Sequence, residues 1–267
     1  DGRRARHDDD DHHYHPNAGR YRLTINIRPG FTDPLPPPAS GFFNICGRRP
    51  KRKTKIMAGE GSGKVSRAKH RLCVLKFGSS VLENEADYRT AAQEVYRHIR
   101  DGEKIVAVVS ALAGETDFLL EQAGAVGGEA PPALVARLAR VGEVRSAALM
   151  GLALCRMGVR ACTVDPHEMA LEAEGDPLDS DLSALDAGTV LARFEDHDVV
   201  VVPGFTAGHA EHGVVTLGRG GTDLSAVFFA ARLGSKRVRL LKDVDGVYAE
   251  DPARNPRAER YGALDYE

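Results

Sequence analysis

Two segments near the end of the chain contain glycines and charged residues in an order typical of a ligand-binding loop. Residues 217–223 read Leu-Gly-Arg-Gly-Gly-Thr-Asp and precede a helical pattern. Residues 237–241 form a strand pattern that continues into the acidic turn Lys-Asp-Val-Asp-Gly-Val-Tyr. Backbone N–H groups of a glycine turn at a helix N-terminus favour a bound anion, and α/β proteins bind ligands at the carboxyl ends of their strands. Together the segments predict a site for a phosphate-bearing ligand and an anionic co-substrate.

A third segment places a lysine at the end of a strand pattern. Lys76 closes the apolar run 71–76 and is followed by Gly78, Ser79 and Ser80. This arrangement puts one positive charge beside free N–H and hydroxyl donors. Phosphoryl transfer needs such groups, because its transition state carries negative charge on the equatorial oxygens. We therefore predict that Lys76 grips the transferred phosphate, although a lysine at a strand end is, taken alone, more often a surface residue.

These segments resemble the amino acid kinase family, and most closely its aspartokinase branch. That family carries Lys-Phe-Gly-Gly-Thr-Ser-Val, matched here from Lys76, and Leu-Gly-Arg-Gly-Gly-Ser-Asp, matched from Leu217. Its Ser-Ala-x-x-Gly-x-Thr turn corresponds to residues 110–116, and its Gly-Glu-x-x-Ser helix start to residues 142–146. The four matches follow the family's order and spread over residues 71–252, roughly two thirds of the chain.

The resemblance implies a pocket for L-aspartate. Arg219 would hold the α-carboxylate, which suits the planar fork of an arginine. Glu143 would pair with the substrate ammonium; its simpler interpretation is a carboxylate stabilised at a helix start by the helix dipole. The other implied substrate-binding residues are Ser110, Ala111, Thr116 and Thr222.

The resemblance also implies that Lys76 and Asp223 are catalytic, with Asp223 orienting the lysine. Asp223 could also simply cap the helix that follows it, and the two roles can coexist. The implied phosphoryl donor is ATP with Mg²⁺, and no residue is assigned as a metal ligand. The implied nucleotide-binding residues are Lys76, Gly78, Ser79, Ser80, Gly220, Gly221, Lys242, Asp243, Tyr248 and Arg254.

Three features depart from the family pattern. The first glycine loop is one residue shorter, which leaves fewer donors for a nucleotide. Lys242 replaces the threonine usual in aspartokinases and resembles the uridylate kinase branch instead. The sequence stops at residue 267, before the family's Gly-x-Lys segment and its regulatory domains, so we expect a kinase domain that is incomplete at its C-terminus.

The charge distribution separates the chain into two parts. Residues 1–56 hold 12 of the 36 Lys and Arg but 6 of the 38 Asp and Glu, which leaves 24 basic and 32 acidic residues in the remainder. That acidic remainder argues against a nucleic-acid partner, because phosphate contacts need the opposite sign. A His/Asp tract, a proline cluster and a basic run predict that 1–56 is disordered or a non-native extension before Met57. Residues 57–70 read as a flexible linker, and 71–267 as the kinase-like domain.

The pattern from residue 71 alternates strands and helices. The continuous apolar run 105–109 indicates a strand buried on both faces and hence a parallel sheet. We predict an α/β fold, and the resemblance implies a three-layer α/β/α sandwich with a mostly parallel central sheet. One or two helices are expected over 131–158, irregular structure over 166–181, a helix over 182–197 and a hairpin over 207–217.

The apolar runs and the cysteines indicate where in the cell the protein is located. No run approaches the ~18 apolar residues of a membrane helix, so we expect no membrane partner. Cys46, Cys73, Cys155 and Cys162 lack metal-ligand spacing and are expected to be buried, reduced thiols, which fits a cytoplasmic protein.

The function implied by the resemblance is ATP-dependent phosphorylation of the side-chain carboxylate of L-aspartate, the first step toward lysine, threonine and methionine. A homodimer is expected, formed through regions partly absent from this sequence. The alternative is a non-catalytic or weakly active ligand-binding domain at the front of a bifunctional aspartokinase–homoserine dehydrogenase.

Overall fold

The computed structural model describes the backbone of Tyr21–Asn26 and residues 71–218, 220–242, 249–250 and 254–260. Strands and helices alternate along these residues. The strands are β1 Tyr21–Asn26, β2 Arg71–Phe77, β3 Glu103–Val109, β4 Ala161–Thr163, β5 Glu172–Asp176, β6 Asp179–Ala184, β7 Val199–Pro203, β8 Thr206–His209, β9 Gly213–Thr216 and β10 Arg237–Lys242. The α-helices are α1 Asp87–Arg100, α2 Glu115–Gly127, α3 Pro132–Arg156, α4 Ala187–Arg193 and α5 Gly221–Leu233, and a 3₁₀ turn spans Pro166–Met169.

The central sheet has the strand order β1-β10-β2-β3-β7-β4. Five of these strands, β10 to β4 in that order, run parallel, and β1 pairs antiparallel with β10. The parallel sheet predicted from the continuous apolar run in β3 is therefore confirmed. All the parallel strands end at one edge, so the loops that follow β2, β3 and β7 meet there, beside the end of β10.

Both faces of the sheet are buried because successive side chains of each strand point to opposite sides. On β2, Cys73, Leu75 and Phe77 pack with α1 and α3, whereas Val74 packs on the other face. That second face is covered by α5, by Val190 of α4 and by apolar residues of a smaller sheet. Helices thus lie on both sides of the sheet, as expected for a three-layer α/β/α sandwich.

The smaller sheet, ordered β6-β5-β8-β9, corrects two expectations. Residues 172–184 form the hairpin β5–β6, where the sequence predicted irregular structure and the start of a helix. They contain no β-branched residue, so propensity gives no strand signal; pairing with β8 and burial of Ala173 and Ser180 hold them instead. The helix expected over 182–197 is reduced to α4, because Asp186 Oδ1 accepts a hydrogen bond from the Gly188 N–H (2.9 Å) and caps the helix there.

The structure agrees with two other predictions. The predicted hairpin over 207–217 is confirmed as β8–β9, and the one or two helices expected over 131–158 are the single helix α3, Pro132–Arg156. Strand β1 lies inside segment 1–56; the rest of that segment and the linker 57–70 lie outside the described residues, so the predictions for both stay predictions.

The burial of the cysteines and the apolar character of the helices can be compared with the predictions for the described residues. Cys73, Cys155 and Cys162 are free, but only Cys73 is buried; Cys155 is exposed, because the C-terminal turn of α3 turns it to solvent. No helix in the described ranges combines the length and apolar character required to cross a membrane.

Candidate active site

Lys76 lies at the predicted edge of the sheet, and its position on β2 explains the direction in which its side chain points. It shares the face of Val74, opposite Leu75 and Phe77, and so points toward α5. Its Nζ forms an ion pair with Asp223 Oδ1 at 2.6 Å, and the residue is 6% exposed. The side chain is therefore fixed inside the protein rather than placed on its surface.

Gly78 allows this placement. A Cβ built on Gly78 would lie 2.6 Å from Lys76 Nζ, closer than side chains pack. The following turn is held by hydrogen bonds from the Val81 and Leu82 N–H groups to the Gly78 carbonyl, each 3.1 Å. Ser79 and Ser80 are exposed in this turn, as a loop that approaches a ligand requires.

Asp223 joins two lysines. It lies in the first turn of α5, and Lys242 Nζ, at the end of β10, donates to its Oδ2 at 2.6 Å. The N-cap of α5 is Gly220, in the left-handed conformation (φ +78°). The capping role considered for Asp223 is therefore wrong: the chain needs a glycine at the cap, and the Asp223 carboxylate faces the lysines.

The three charges shift one another's pKa values. Burial raises the pKa of Asp223, but the charges and hydrogen bonds of Lys76 and Lys242 outweigh burial and hold it below its usual value. Burial lowers the pKa of Lys76 below its usual value, and Asp223 opposes that change. The carboxylate therefore stays ionised and keeps the buried ammonium charged.

Glu143 lies in the middle of α3, not at a helix start as the motif predicted. The helix dipole cannot stabilise its charge there, because that effect is confined to the terminal turns. Glu143 is 2% exposed, and burial raises its pKa to about 8 despite a hydrogen bond from the Ala111 N–H and the nearby charge of Lys76. Its Oε2 has no hydrogen-bond partner among the described residues. A buried, unpartnered carboxyl oxygen beside a predicted substrate loop is fitted to receive a cation.

The substrate loop follows β3. The Ser110 N–H donates to the Phe77 carbonyl (2.9 Å), and the Ser110 carbonyl accepts from Ser146 Oγ (2.5 Å). Ser146 in turn accepts a hydrogen bond from the Tyr88 hydroxyl (2.7 Å). Tyr88 and Ser146 were not predicted as site residues. Ser146 could have been chosen as the last position of the Gly-Glu-x-x-Ser motif, whereas no pattern marks Tyr88.

The loop then enters α2. Thr116 occupies the first turn of α2, half-buried, after the N-cap Gly114. Ala111 is buried and bonds Glu143 through its N–H, so the turn and α3 meet at the predicted substrate pocket.

The glycine loop before α5 is packed from two sides. Thr222 is buried against Gly204, in the turn after β7, and Gly221 is buried against Phe205. The Asp179 carboxylate, at the start of β6, lies directly against Gly218. Asp179 was missed because its segment was predicted to be irregular.

Several predicted residues are not brought into the site by the described structure. Arg219, Asp243 and Tyr248 lie outside the described residues. Arg254 is described and exposed in a turn. The roles assigned to these four residues stay predictions.

The predicted residues that do lie close together form a charged cluster at the carboxyl edge of the central sheet. Lys76, Asp223 and Lys242 make a chain of two ion pairs, and Glu143 and the 110–116 loop lie on the β3 side of Lys76. Two ammonium groups beside the N-terminus of α5 are suited to phosphate. The buried carboxyl of Glu143 nearby has an unpartnered oxygen that can accept a hydrogen bond from an ammonium.

Comparison with known proteins identifies a matching family and similar relatives. Residues 71–267 match the amino acid kinase family. Aspartokinase from Helicobacter pylori is 32% identical over 196 residues, covering 73% of this chain and 48% of that protein. Aspartokinase from Corynebacterium efficiens is 33% identical over 200 residues, covering 73% and 47% respectively. The chain thus spans about half the length of the curated relatives it matches.

Solved structures give the same result for the fold. The aspartate kinase of Synechocystis superposes with a TM-score of 0.61 at 29% identity, covering 70% of this chain and 31% of that one. Escherichia coli aspartokinase III, solved with aspartate and ADP, superposes with a TM-score of 0.63 at 23% identity, covering 72% and 53%. The chain belongs to the amino acid kinase family, and within that family it is similar to the aspartokinases.

Proposed function

We propose that this protein transfers the γ-phosphoryl group of ATP to the side-chain carboxylate of L-aspartate. One observation carries the proposal: a buried lysine and a second lysine share the carboxylate of Asp223 at the carboxyl edge of a parallel sheet, beside a helix N-terminus. The similarity to aspartokinases supports the choice of acceptor.

The phosphate end of the site consists of cations and backbone donors. Lys76 and Lys242 supply the charges, and the turn at Gly78–Ser80 is assigned to supply N–H groups. The cation pair and the helix N-terminus fit the phosphates of ATP. Both oxygens of Asp223 are paired with lysines, so Mg²⁺ would be carried by phosphate oxygens, as this ion commonly is. Asp243, Tyr248 and Arg254 complete the proposed nucleotide site.

The acceptor end consists of groups that recognise an amino acid. We assign the substrate ammonium to Glu143, whose Oε2 is buried and unpartnered, and the α-carboxylate to Arg219. Ser110, Ala111, Thr116 and Thr222 are assigned to the walls of the pocket. The hydrogen bonds from Ser146 and Tyr88 hold the Ser110 loop in place.

The reaction needs no general base. The side-chain carboxylate of aspartate is already ionised at neutral pH, so its oxygen can attack the γ-phosphorus directly. The new O–P bond forms as the bond to the β-phosphate oxygen breaks, giving an acyl phosphate and ADP. Lys76 neutralises charge on the transferred group, and Asp223 holds that lysine in place, so the chain contributes positioning and electrostatic stabilisation. We further propose a cytoplasmic homodimer in amino-acid biosynthesis.

Trapping the acyl phosphate with hydroxylamine tests the proposal. The protein is incubated with ATP, Mg²⁺ and hydroxylamine, together with aspartate, glutamate or acetylglutamate. We expect hydroxamate with aspartate, lost in Lys76→Met and kept in Lys236→Met, the same change at an exposed lysine. No hydroxamate with any of the acids, from folded protein, would instead identify a ligand-binding domain that does not turn over.

A further inference from the structure

Three buried side chains with metal-binding atoms meet at the amino edge of the central sheet, at the opposite end from the candidate active site. They are Cys73 on β2, His98 on α1 and Glu103 on β3, each at most 4% exposed. Cys73 Sγ, a ring nitrogen of His98 and a carboxylate oxygen of Glu103 all lie within 4.8 Å of one another. Cys73 faces α1, whereas Lys76, three positions later, faces α5. The cluster is therefore separate from the lysine site.

The three residues form a donor set that suits Zn²⁺. This ion is bound by cysteine sulfur, histidine nitrogen and carboxylate oxygen, and in a tetrahedral site the donor atoms lie about 3.5 Å apart. His98 Nδ1 and Glu103 Oε2 lie 2.7 Å apart, so they need to separate by less than about 1 Å to admit the ion. The three residues lie far apart in the sequence, which is why no metal-ligand spacing is visible there.

The imidazole of His98 is oriented as in a metal-ligating histidine. Its Nδ1 faces Glu103, and its other ring nitrogen, Nε2, lies 3.4 Å from Oε1 of Glu94, one turn earlier on α1. With a metal on Nδ1, the ring proton is on Nε2 and points at the Glu94 carboxylate. A carboxylate behind the second nitrogen is a common outer partner of a zinc-bound histidine, where it fixes the tautomer and the ring orientation.

The charge balance of the cluster allows a dication. A bound metal deprotonates a coordinating thiol, so Cys73 and Glu103 together neutralise Zn²⁺. Glu94 offsets Arg239, whose Nη1 lies 3.5 Å from the outer nitrogen of the imidazole. Arg237 pairs with the other oxygen of Glu103 and keeps the remaining positive charge. Its side chain is 32% exposed, so water solvates that charge.

We propose that Cys73, His98 and Glu103 form a Zn²⁺ site that ties α1 to strands β2 and β3. The ion would link three elements that meet only in the fold, so its binding should stabilise the folded protein, as it does at structural zinc sites. No residue assigned to ATP or aspartate takes part, and the inference therefore goes beyond the proposed kinase function.

Cobalt spectroscopy tests the site, because Co²⁺ bound by a thiolate gives a charge-transfer band in the near ultraviolet. The band requires a cysteine ligand, so metal bound by the histidines of residues 7–15 does not contribute to it. We expect the band, together with the visible bands of tetrahedral Co²⁺, in the unaltered protein. It should be kept in Cys155→Ser, the matched change at an exposed thiol, and lost in Cys73→Ser.

Displacement of Co²⁺ by Zn²⁺ compares the affinities of the variants. Glu94→Gln should weaken Zn²⁺ binding by roughly 10- to 100-fold, the effect of losing an outer partner, and His98→Gln should weaken it further because a ligand is lost. Glu121→Gln, at an exposed position of α2, should bind Zn²⁺ as the unaltered protein does. Zn²⁺ should also raise the melting temperature of the unaltered protein and of Cys155→Ser, but not that of Cys73→Ser.

Absence of the thiolate band in the unaltered protein would overturn the proposal and leave a buried ion-pair cluster in which Cys73 only fills space. This measurement does not depend on whether a variant folds. A band that persists in folded Cys73→Ser would overturn the proposal as well, because another cysteine would then hold the metal. Neither ATP nor aspartate enters the assay, so its outcome is independent of hydroxamate formation.

Discussion

Lys76 at the end of β2 and Asp223 in the first turn of α5 form an ion pair of 2.6 Å that ties the central sheet to the helix covering one of its faces. The pair is placed by strand parity, which directs Lys76 toward α5, and by the glycine cap, which turns the helix toward the sheet edge. A buried ammonium is costly without such a partner. Most of the expected behaviour of the site follows from this relationship.

Gly78→Ala should disable the site without unfolding the protein. The added methyl group would lie 2.6 Å from Lys76 Nζ and must displace the ammonium from Asp223. We expect kcat in the hydroxamate assay to fall by about 100-fold, the typical effect of losing one positioned electrostatic group. Gly124→Ala is the matched control, since a Cβ at this position in α2 meets nothing within 4 Å. Equal kcat in both variants would contradict the assigned role of Gly78.

Asp223→Asn should change the pH dependence of activity. Burial lowers the pKa of Lys76 and Asp223 raises it, so loss of the carboxylate lets that pKa fall further. Lys76 then loses its proton at a lower pH, and the alkaline limb of the kcat–pH profile should move toward neutral pH. Asp117→Asn, the third residue of α2 as Asp223 is of α5, should leave the profile unchanged. An alkaline limb that does not move in Asp223→Asn would rule out this coupling.

Glu143→Gln should remove a pH dependence of stability. The pKa of Glu143 is raised from 4.5 to about 8 by burial, so the folded protein holds a proton that the unfolded chain releases. The stability this group contributes is complete below pH 4.5 and is lost as pH rises toward about 8. The slope is at most about 1.4 kcal/mol of unfolding free energy per pH unit.

Urea unfolding at several pH values measures this effect. Glu143→Gln should show a shallower decline in unfolding free energy than the unaltered protein across that interval, and exposed Glu121→Gln should match the unaltered protein. Parallel declines in all three proteins would mean that Glu143 is ionised in the fold.

Tyr88→Phe should loosen the substrate loop. The change removes the hydrogen bond from the Tyr88 hydroxyl to Ser146, the residue that holds the Ser110 carbonyl. We expect a loss of about 1 kcal/mol in unfolding free energy and a higher KM for aspartate with little change in KM for ATP. Tyr96→Phe, on the same helix but 42% exposed, serves as the control. An unchanged KM for aspartate in Tyr88→Phe would confine Tyr88 to a structural role.

Local signals in the sequence were sufficient for the elements with strong periodicity. The continuous apolar run of β3 predicted a buried parallel strand, and the glycine loop predicted the start of α5. The motif around Lys76 located a residue that the structure does bring to the sheet edge, because strand ends and glycine turns are encoded within a few neighbouring positions.

Features that depend on contacts between residues far apart in the sequence could not be predicted from local patterns. Strands β5 and β6 contain no β-branched residue and exist through pairing with β8 and burial, so they were predicted incorrectly. Glu143 was assigned to a helix start because its motif does not encode the length of α3. Tyr88 and Asp179 approach the site only because separate elements pack together.

The sequence by itself determined the alternation of strands and helices, the glycine turns and the identity of Lys76, Asp223 and Glu143 as candidates. Only the tertiary structure decided that Asp223 is shared by two lysines and that Glu143 is buried with a raised pKa. The physical reason is that turns and periodicity are local properties, whereas desolvation and ion pairing depend on which residues the parallel strand order brings to the same edge.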